Sequence, residues 1–298
     1  LGLGRNLAIA LIVVIAVGSC GGSAADPTRS STSAPDTTVA GSATTTTVAL
    51  PATGGADPTT EAPTTTTRPA TSTTTSTAPS PLAGQVVVID PGHNGKNYAH
   101  PDEINRLVDI GTGTKACNTT GTAATDGYSE ARLNWEVARL ARDELTARGA
   151  AVVMTRNDND GWGPCITERA ATGNRVAAGA VISIHADGAR SDGRGFHVIY
   201  PATIAGLTDD IAAPSLRLAT DLREAMLATG MPISDYTAED GFSERGDLGG
   251  LNLSDVPAVF LEMGNMKNAA DTALLTDPEF QRRVAVAIAD AVERFLGR

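Results

Sequence analysis

Four residues of this 298-residue sequence have types and settings suited to metal-assisted hydrolysis. His93 follows Val86-Val87-Val88-Ile89-Asp90-Pro91-Gly92, and His185 closes Val181-Ile182-Ser183-Ile184. Glu130 opens an amphipathic segment between them, and Glu262 ends a third apolar run, Val259-Phe260-Leu261. Two His and one Glu with a fourth position open are the ligand set of a hydrolytic zinc site. Glu262 is then the spare carboxylate, read as the catalytic acid/base. Each residue alone has a plainer explanation. A His after a strand is more often structural, and a Glu at a helix start balances the helix dipole. The metal reading rests on the four occurring together.

The elements that must position them follow from pattern. Short β-branched runs read as buried strands of a parallel sheet. Ligands of such sheets bind beyond the carboxyl ends of the strands, so both histidines share one rim. Glu130 to Arg148 reads as a helix with Leu133, Val137, Leu140, Ala141 and Leu145 on one face, Ser129 as N-cap and Gly149 as the stop. A strand over Ala151–Thr155, a polar loop over Asn157–Cys165, a helix capped by Thr167 through Ala178, and a strand over Gly195–Tyr200 follow. A helix over Pro214–Thr229 has Leu216, Leu218, Leu222, Met226 and Leu227 as its apolar set, and Phe280–Leu296 closes the chain as a helix. Residues 94–129 show no clear period; a loop of this length is usually functional or tied down. Alternating strands and helices argue for an α/β fold, a twisted, mostly parallel sheet with helices on both faces.

Composition divides the chain. Residues 1–82 are dominated by Thr, Ser, Ala and Pro, and all Trp, Tyr and Phe fall in 83–298, which is read as one catalytic domain. The net charge of −11 lies mostly in that second part and gives no footprint for nucleic acid. Residues 1–20 have Arg5, an apolar run from Leu7 to Val17, and Gly18-Ser19-Cys20, the layout of an export signal. Val17-Gly18-Ser19-Cys20 resembles a bacterial lipobox, with lipid on Cys20 as a membrane anchor; cleavage after Ala25 is the competing reading. Residues 21–82 lack the apolar content to offset the entropy of folding and are read as a disordered linker. The protein is therefore expected outside the cytoplasm, at the outer face of the cytoplasmic membrane or in the wall, lipid-anchored or secreted. Cys117 and Cys165 remain, one in each long loop, and in an exported protein most simply form a disulfide, contributing roughly 4 kcal/mol in the chain-entropy model.

The segments VVVIDPGHNG, YSEARLNWEVARLARDELTARG, VVMTRN, ERAATGNRVAAGAVISIHAD, GFHVIY and PAVFLEMGNMKNAADTALL resemble, in content and order, the zinc-dependent N-acetylmuramoyl-L-alanine amidases of amidase family 3. The resemblance covers about residues 84–298. It implies a single α/β domain with about six strands, one Zn²⁺ held by His93, Glu130 and His185, and Glu262 as the catalytic glutamate. It implies peptidoglycan or muropeptides as substrate, cut between the lactyl group of muramic acid and L-alanine, and it points to a monomer. Three departures stand out: a longer stretch between His93 and Glu130, Asn265 after Gly264, and Asp187 after the histidine strand.

Other polar residues carry weaker expectations. Asp90 is a partner for a ligand histidine or a turn cap, Arg169 a surface ion pair or a substrate contact, and His100 and His197 structural or exposed. Asn265 and Lys267 touch the stem peptide or form the turn. A zinc carboxypeptidase or endopeptidase is the main rival, but its usual motif needs a Glu where Lys96 stands. A zinc sugar deacetylase would need a paired-Asp start and a His-x₃-His motif, both absent. An inactive wall-binding lipoprotein is disfavoured because all four site residues are intact.

Overall fold

The computed structural model describes residues 80–297. The predicted export signal, Cys20 and the linker through residue 79 lie outside the described residues. Leu82, at the last linker position, is fully buried, and its N–H donates to the Arg148 carbonyl at 3.0 Å.

In chain order the elements are β1 (Val86–Pro91), α1 (Pro101–Ile104), β2 (Leu107–Asp109), β3 (Thr114–Ala116), α2 (Glu130–Ala147), β4 (Ala151–Met154), α3 (Ile166–Arg175), β5 (Ala180–Asp187), β6 (His197–Pro201), α4 (Ala212–Leu227), β7 (Phe242–Arg245), α5 (Gly249–Asn252), β8 (Ala258–Asn265), α6 (Ala269–Leu275) and α7 (Pro278–Leu296). Six strands form one sheet in the order β4-β1-β5-β8-β6-β7. The first four run parallel, β6 is antiparallel to β8, and β7 is parallel to β6. This is the mostly parallel α/β sheet that the alternation predicts.

Both faces are covered, which is why the central strands read as unbroken apolar runs. Val87, Ile89, Ile182, Ile184, Val259 and Leu261 pack under the long helices α2, α4 and α7. The alternate residues Val88, Val181 and Ala258 pack with Leu251 of α5 on the other face. In α4 only Leu218, Leu222 and Met226 of the predicted apolar set are buried; Leu216 and Leu227 are exposed. The buried three recur every four residues, whereas Leu216 and Leu227 fall off that stripe.

Ser129 and Gly149 bound α2 as predicted: Ser129 Oγ accepts from the Arg132 N–H, and Gly149 has φ 97°. The next helix differs. Its N-cap is Cys165 rather than Thr167, with Glu168 Oε2 accepting from the Cys165 N–H at 2.8 Å, and it ends at Arg175. Cys165 is fixed there by the predicted disulfide to Cys117, which spans 48 residues of sequence. The long stretch before α2 is not structureless either. It holds α1 and the antiparallel β2–β3 hairpin, tied down by that disulfide and by the buried Asn252 amide, which donates to Ile110 O, Thr112 Oγ1 and Gly246 O.

Candidate metal centre

Sheet register sets the site. His185 near the end of β5 pairs with Glu262 on β8, and His197 on β6 pairs with Glu262 from the other side. The register shifts between His185 and Asp187, which turns the end of β5 toward the rim. His93 follows β1, the neighbour of β5, and has φ 58°, a left-handed conformation that costs energy for a side-chain-bearing residue.

Two buried arginines hold this turn. Arg156 donates to the carbonyls of Pro91 (2.9 Å) and Gly92 (3.3 Å), and Arg169 to those of Pro91 (2.8 Å) and His93 (2.7 Å). Arg169 also pairs with Asp90 Oδ1 at 2.5 Å. Arg169 is thus a buried brace rather than the surface ion pair expected of it. Asp90, likewise, holds Arg169, Ser183 (2.6 Å) and Thr155 (2.5 Å) rather than a histidine. Burial pushes the Asp90 carboxyl up, but Arg169 and the two hydroxyls reverse this and hold it at about 2. Burial and the neighbouring Arg169 lower Arg156 to about 9. Arg156 was missed by sequence reasoning; its one signal was its place directly after a strand, in VVMTRN.

Glu130, at the first turn of α2, lies between the histidines. Its Oε1 is 3.0 Å from His93 Nε2 and 3.0 Å from His185 Nδ1. The ligand atoms of the three residues all lie within 4.8 Å of one another. Glu130 Oε2 accepts from the Thr122 N–H at 2.9 Å, and Asn134 Nδ2 donates to Oε1 at 3.2 Å. Burial pushes the Glu130 carboxyl up, and His93 and His185 carry it well below its ordinary range. Glycine lets the rings meet. A Cβ on Gly92 would lie 2.2 Å from His185 Cε1, and the same ring stacks on Phe260 at 5.1 Å.

The donor set fits one metal ion. His93 Nδ1 is 3.0 Å from the Thr119 carbonyl, which orients the ring with Nε2 toward Glu130 and His185. Two nitrogens and one carboxylate oxygen are the ligand types of a hydrolytic metal site.

Beyond the triad a polar groove holds Glu262, Asp187, Tyr236, His197 and Arg245. Burial, then Asp187 and Glu130, push the Glu262 carboxyl well above its ordinary range, against the pull of Arg245. Glu262 Oε2 is buried and has no hydrogen-bond partner among the described residues. Tyr236 donates to Asp187 Oδ2 at 2.7 Å, and His197 Nδ1 lies 3.6 Å from the same oxygen. His197 is therefore buried at the groove rather than exposed. His100 stacks on Trp162, away from the triad, and Asn265 forms the turn: its side chain accepts from the N–H groups of Ala189 and Lys267 and donates to the carbonyls of Arg190 and Gly193. Lys267 Nζ donates to Ala123 O at 2.6 Å.

A family model described as N-acetylmuramoyl-L-alanine amidase matches residues 87–294, a span that contains all four residues. The chain belongs to this family. It is 41% identical over 222 residues to the N-acetylmuramoyl-L-alanine amidase Rv3717 of Mycobacterium tuberculosis, covering 74% of this chain and 90% of that protein. The crystal structure of the amidase Ami1 from Mycobacterium smegmatis superposes with a TM-score of 0.68 at 41% identity, over 72% of this chain and 98% of that one. Ami1 from Mycobacterium abscessus gives the same TM-score at 42% identity, over 72% and 100%. This amidase cleaves peptidoglycan. A wall substrate and a disulfide are those of an extracytoplasmic protein.

Proposed function

We propose that His93, Glu130 and His185 hold one Zn²⁺ and that Glu262 is the catalytic acid/base for cleavage of the bond between N-acetylmuramic acid and L-alanine. The observation that carries this reading is the cluster of three donors, one of which, His185, pairs across β5–β8 with the unpartnered carboxylate of Glu262. When bound, the metal supplies a Lewis acid, which polarises an amide carbonyl and makes water nucleophilic near neutral pH. Glu262 accepts a proton from the attacking water as its oxygen bonds to the lactyl carbonyl carbon. The C–N bond then breaks, and Glu262 delivers that proton to the departing nitrogen. The products are a lactyl carboxylate and a stem peptide with a free L-alanine amine. Glu130 is held ionised by its two histidines, and Asn134 and Thr122 fix its orientation.

The same reading extends to the whole chain. Residues 1–20 direct export, lipid on Cys20 anchors the protein to the membrane, and residues 21–82 tether a catalytic domain of residues 83–298 that acts as a monomer. A linker of about 60 residues reaches on the order of 190 Å when extended at about 3.1 Å per residue, enough to sweep a thick layer of wall.

Product analysis on purified peptidoglycan fragments, with zinc and after chelation, tests the assignment. Chelator-sensitive release of stem peptides beginning at L-alanine is expected. Stems trimmed while still attached to sugar would instead establish a peptidase.

A further inference from the structure

Two recesses share His93 and His185 as a common wall. One, of about 300 Å³, lies beside the β2–β3 hairpin and is mainly apolar, with Ile166, Leu248 and Phe260 among its walls. The other is the polar groove of Glu262, of about 590 Å³. Lys115 lines the first and Arg245 the second, and both grip the same carboxylate. Arg245 donates to Asp247 through Nε (2.6 Å) and Nη2 (2.8 Å), and Lys115 Nζ lies 2.8 Å from Asp247 Oδ2.

This bracket has two cations and one anion, so it carries one surplus positive charge. Hydrogen bonds from Arg245 and Lys115 hold the Asp247 carboxyl below its ordinary range, so it is ionised at neutral pH. The contacts to Asp247 use Nε and Nη2 of Arg245, which leaves Nη1 for a further acceptor. The bracket is also fixed in place, because Asn252 and the disulfide pin the hairpin that carries Lys115. Asp187 and Glu262 also face Arg245 across the groove, and Arg245 is the one Arg or Lys lining it. Among the side chains of the groove, Arg245 is the fixed cation for an anionic group of the substrate.

Orientation follows from the role of Glu262, and the inference rests on that reading. Glu262 protonates the departing nitrogen, so the leaving peptide occupies the polar groove and the muramoyl side faces the apolar recess. The groove has room for the leaving alanine and the residue after it. We propose that Arg245 determines specificity on the leaving side by binding a carboxylate on the stem residue that follows L-alanine. With Nε and Nη2 held by Asp247, the guanidinium is fixed in place and offers Nη1 as a charged donor.

Calorimetric titration of the full-length, metal-loaded chain tests this without turnover. The two ligands are L-alanyl-D-isoglutamate and L-alanyl-D-isoglutamine, each with its γ-carboxyl capped as a methylamide, so that they differ only at the α-carboxylate. The wild type is expected to bind the acid roughly tenfold or more tightly than the amide, the loss typical of one charged hydrogen-bond partner. Arg245→Gln should lose that preference with its metal content intact, and Arg245→Lys should keep part of it. Equal affinity for the two ligands, no measurable binding of either, or a preference that survives in Arg245→Gln overturns the proposal. Release of stem peptide from wall fragments reports separately on the amidase assignment, so each can fail without the other.

Discussion

The turn that carries His93 and the groove that carries Glu262 flank the same cluster and are built to opposite rules. On the turn, the carbonyls of Pro91, Gly92 and His93 each accept from a buried guanidinium, and both oxygens of Glu130 have donors. In the groove, Glu262 Oε2 and His197 Nδ1 are buried without hydrogen-bond partners among the described residues. A buried polar atom left unpaired costs about 1–3 kcal/mol. The ligand side spends charge on holding one geometry, while the proton-transfer side keeps bonding capacity open for water and substrate. Stability and activity should therefore separate by side.

Glu262→Gln gives the largest effect and sharpens the contrast. It keeps the shape and removes the base. Turnover should fall by roughly 10²- to 10⁴-fold, the usual contribution of general acid–base catalysis, with metal content unchanged. The metal-free variant should also be more stable than wild type at pH 7. The Glu262 carboxyl is raised in the fold, so above its ordinary value near 4.5 the unfolded chain ionises first and wild-type stability declines. Below that pH the two proteins should converge. An active, metal-loaded variant would remove Glu262 from the chemistry.

Gly92→Ala strikes the braced side. A Cβ there lies 2.2 Å from the His185 ring, so the ring must move off its stack on Phe260 and out of the triad geometry. Zinc affinity should drop by at least about 100-fold, beyond the usual cost of losing a supporting contact to a ligand. Competition with a chromogenic chelator measures it; wild-type affinity would mean that the turn is far softer than its hydrogen bonds imply.

The two sides were unequally legible in sequence. His93, His185 and Glu262 end apolar runs, and Glu130 follows a capping Ser, so strand and helix patterns singled out all four and put both histidines at one rim. Arg169 and Arg156 were misjudged or missed because charge in a sequence reads as surface. Their burial depends on carbonyls of a turn far along the chain, which no local pattern encodes. The groove wall hid for a different reason. β7 is Phe242-Ser243-Glu244-Arg245, a four-residue edge strand with one apolar residue, and it has no period to detect. The hairpin β2–β3 is shorter still. His197 showed only as an alternating strand residue, and its place beside Asp187 and Glu262 appears once β6 pairs antiparallel with β8.

The Asp90–Arg169 pair gives the smallest effect and the most direct test of how the turn is braced. The Asp90 carboxyl sits at about 2 in the fold against 3.8 for a free aspartate. A depressed value means that the folded state prefers the ionised form. The associated stability is fully present above pH 3.8 and disappears as pH falls toward 2. At 1.36 kcal/mol per pH unit this amounts to about 2 kcal/mol. Urea unfolding of metal-free protein across pH 2–5 should therefore show wild type losing about 2 kcal/mol more than Asp90→Asn, whose side chain does not titrate. Asp90→Asn should start from lower stability at pH 5, because Arg169 is left buried with its charge uncompensated. Parallel curves for the two proteins would mean that packing, not charge, holds the turn, and the contrast between the two sides of the cluster would then be one of shape alone.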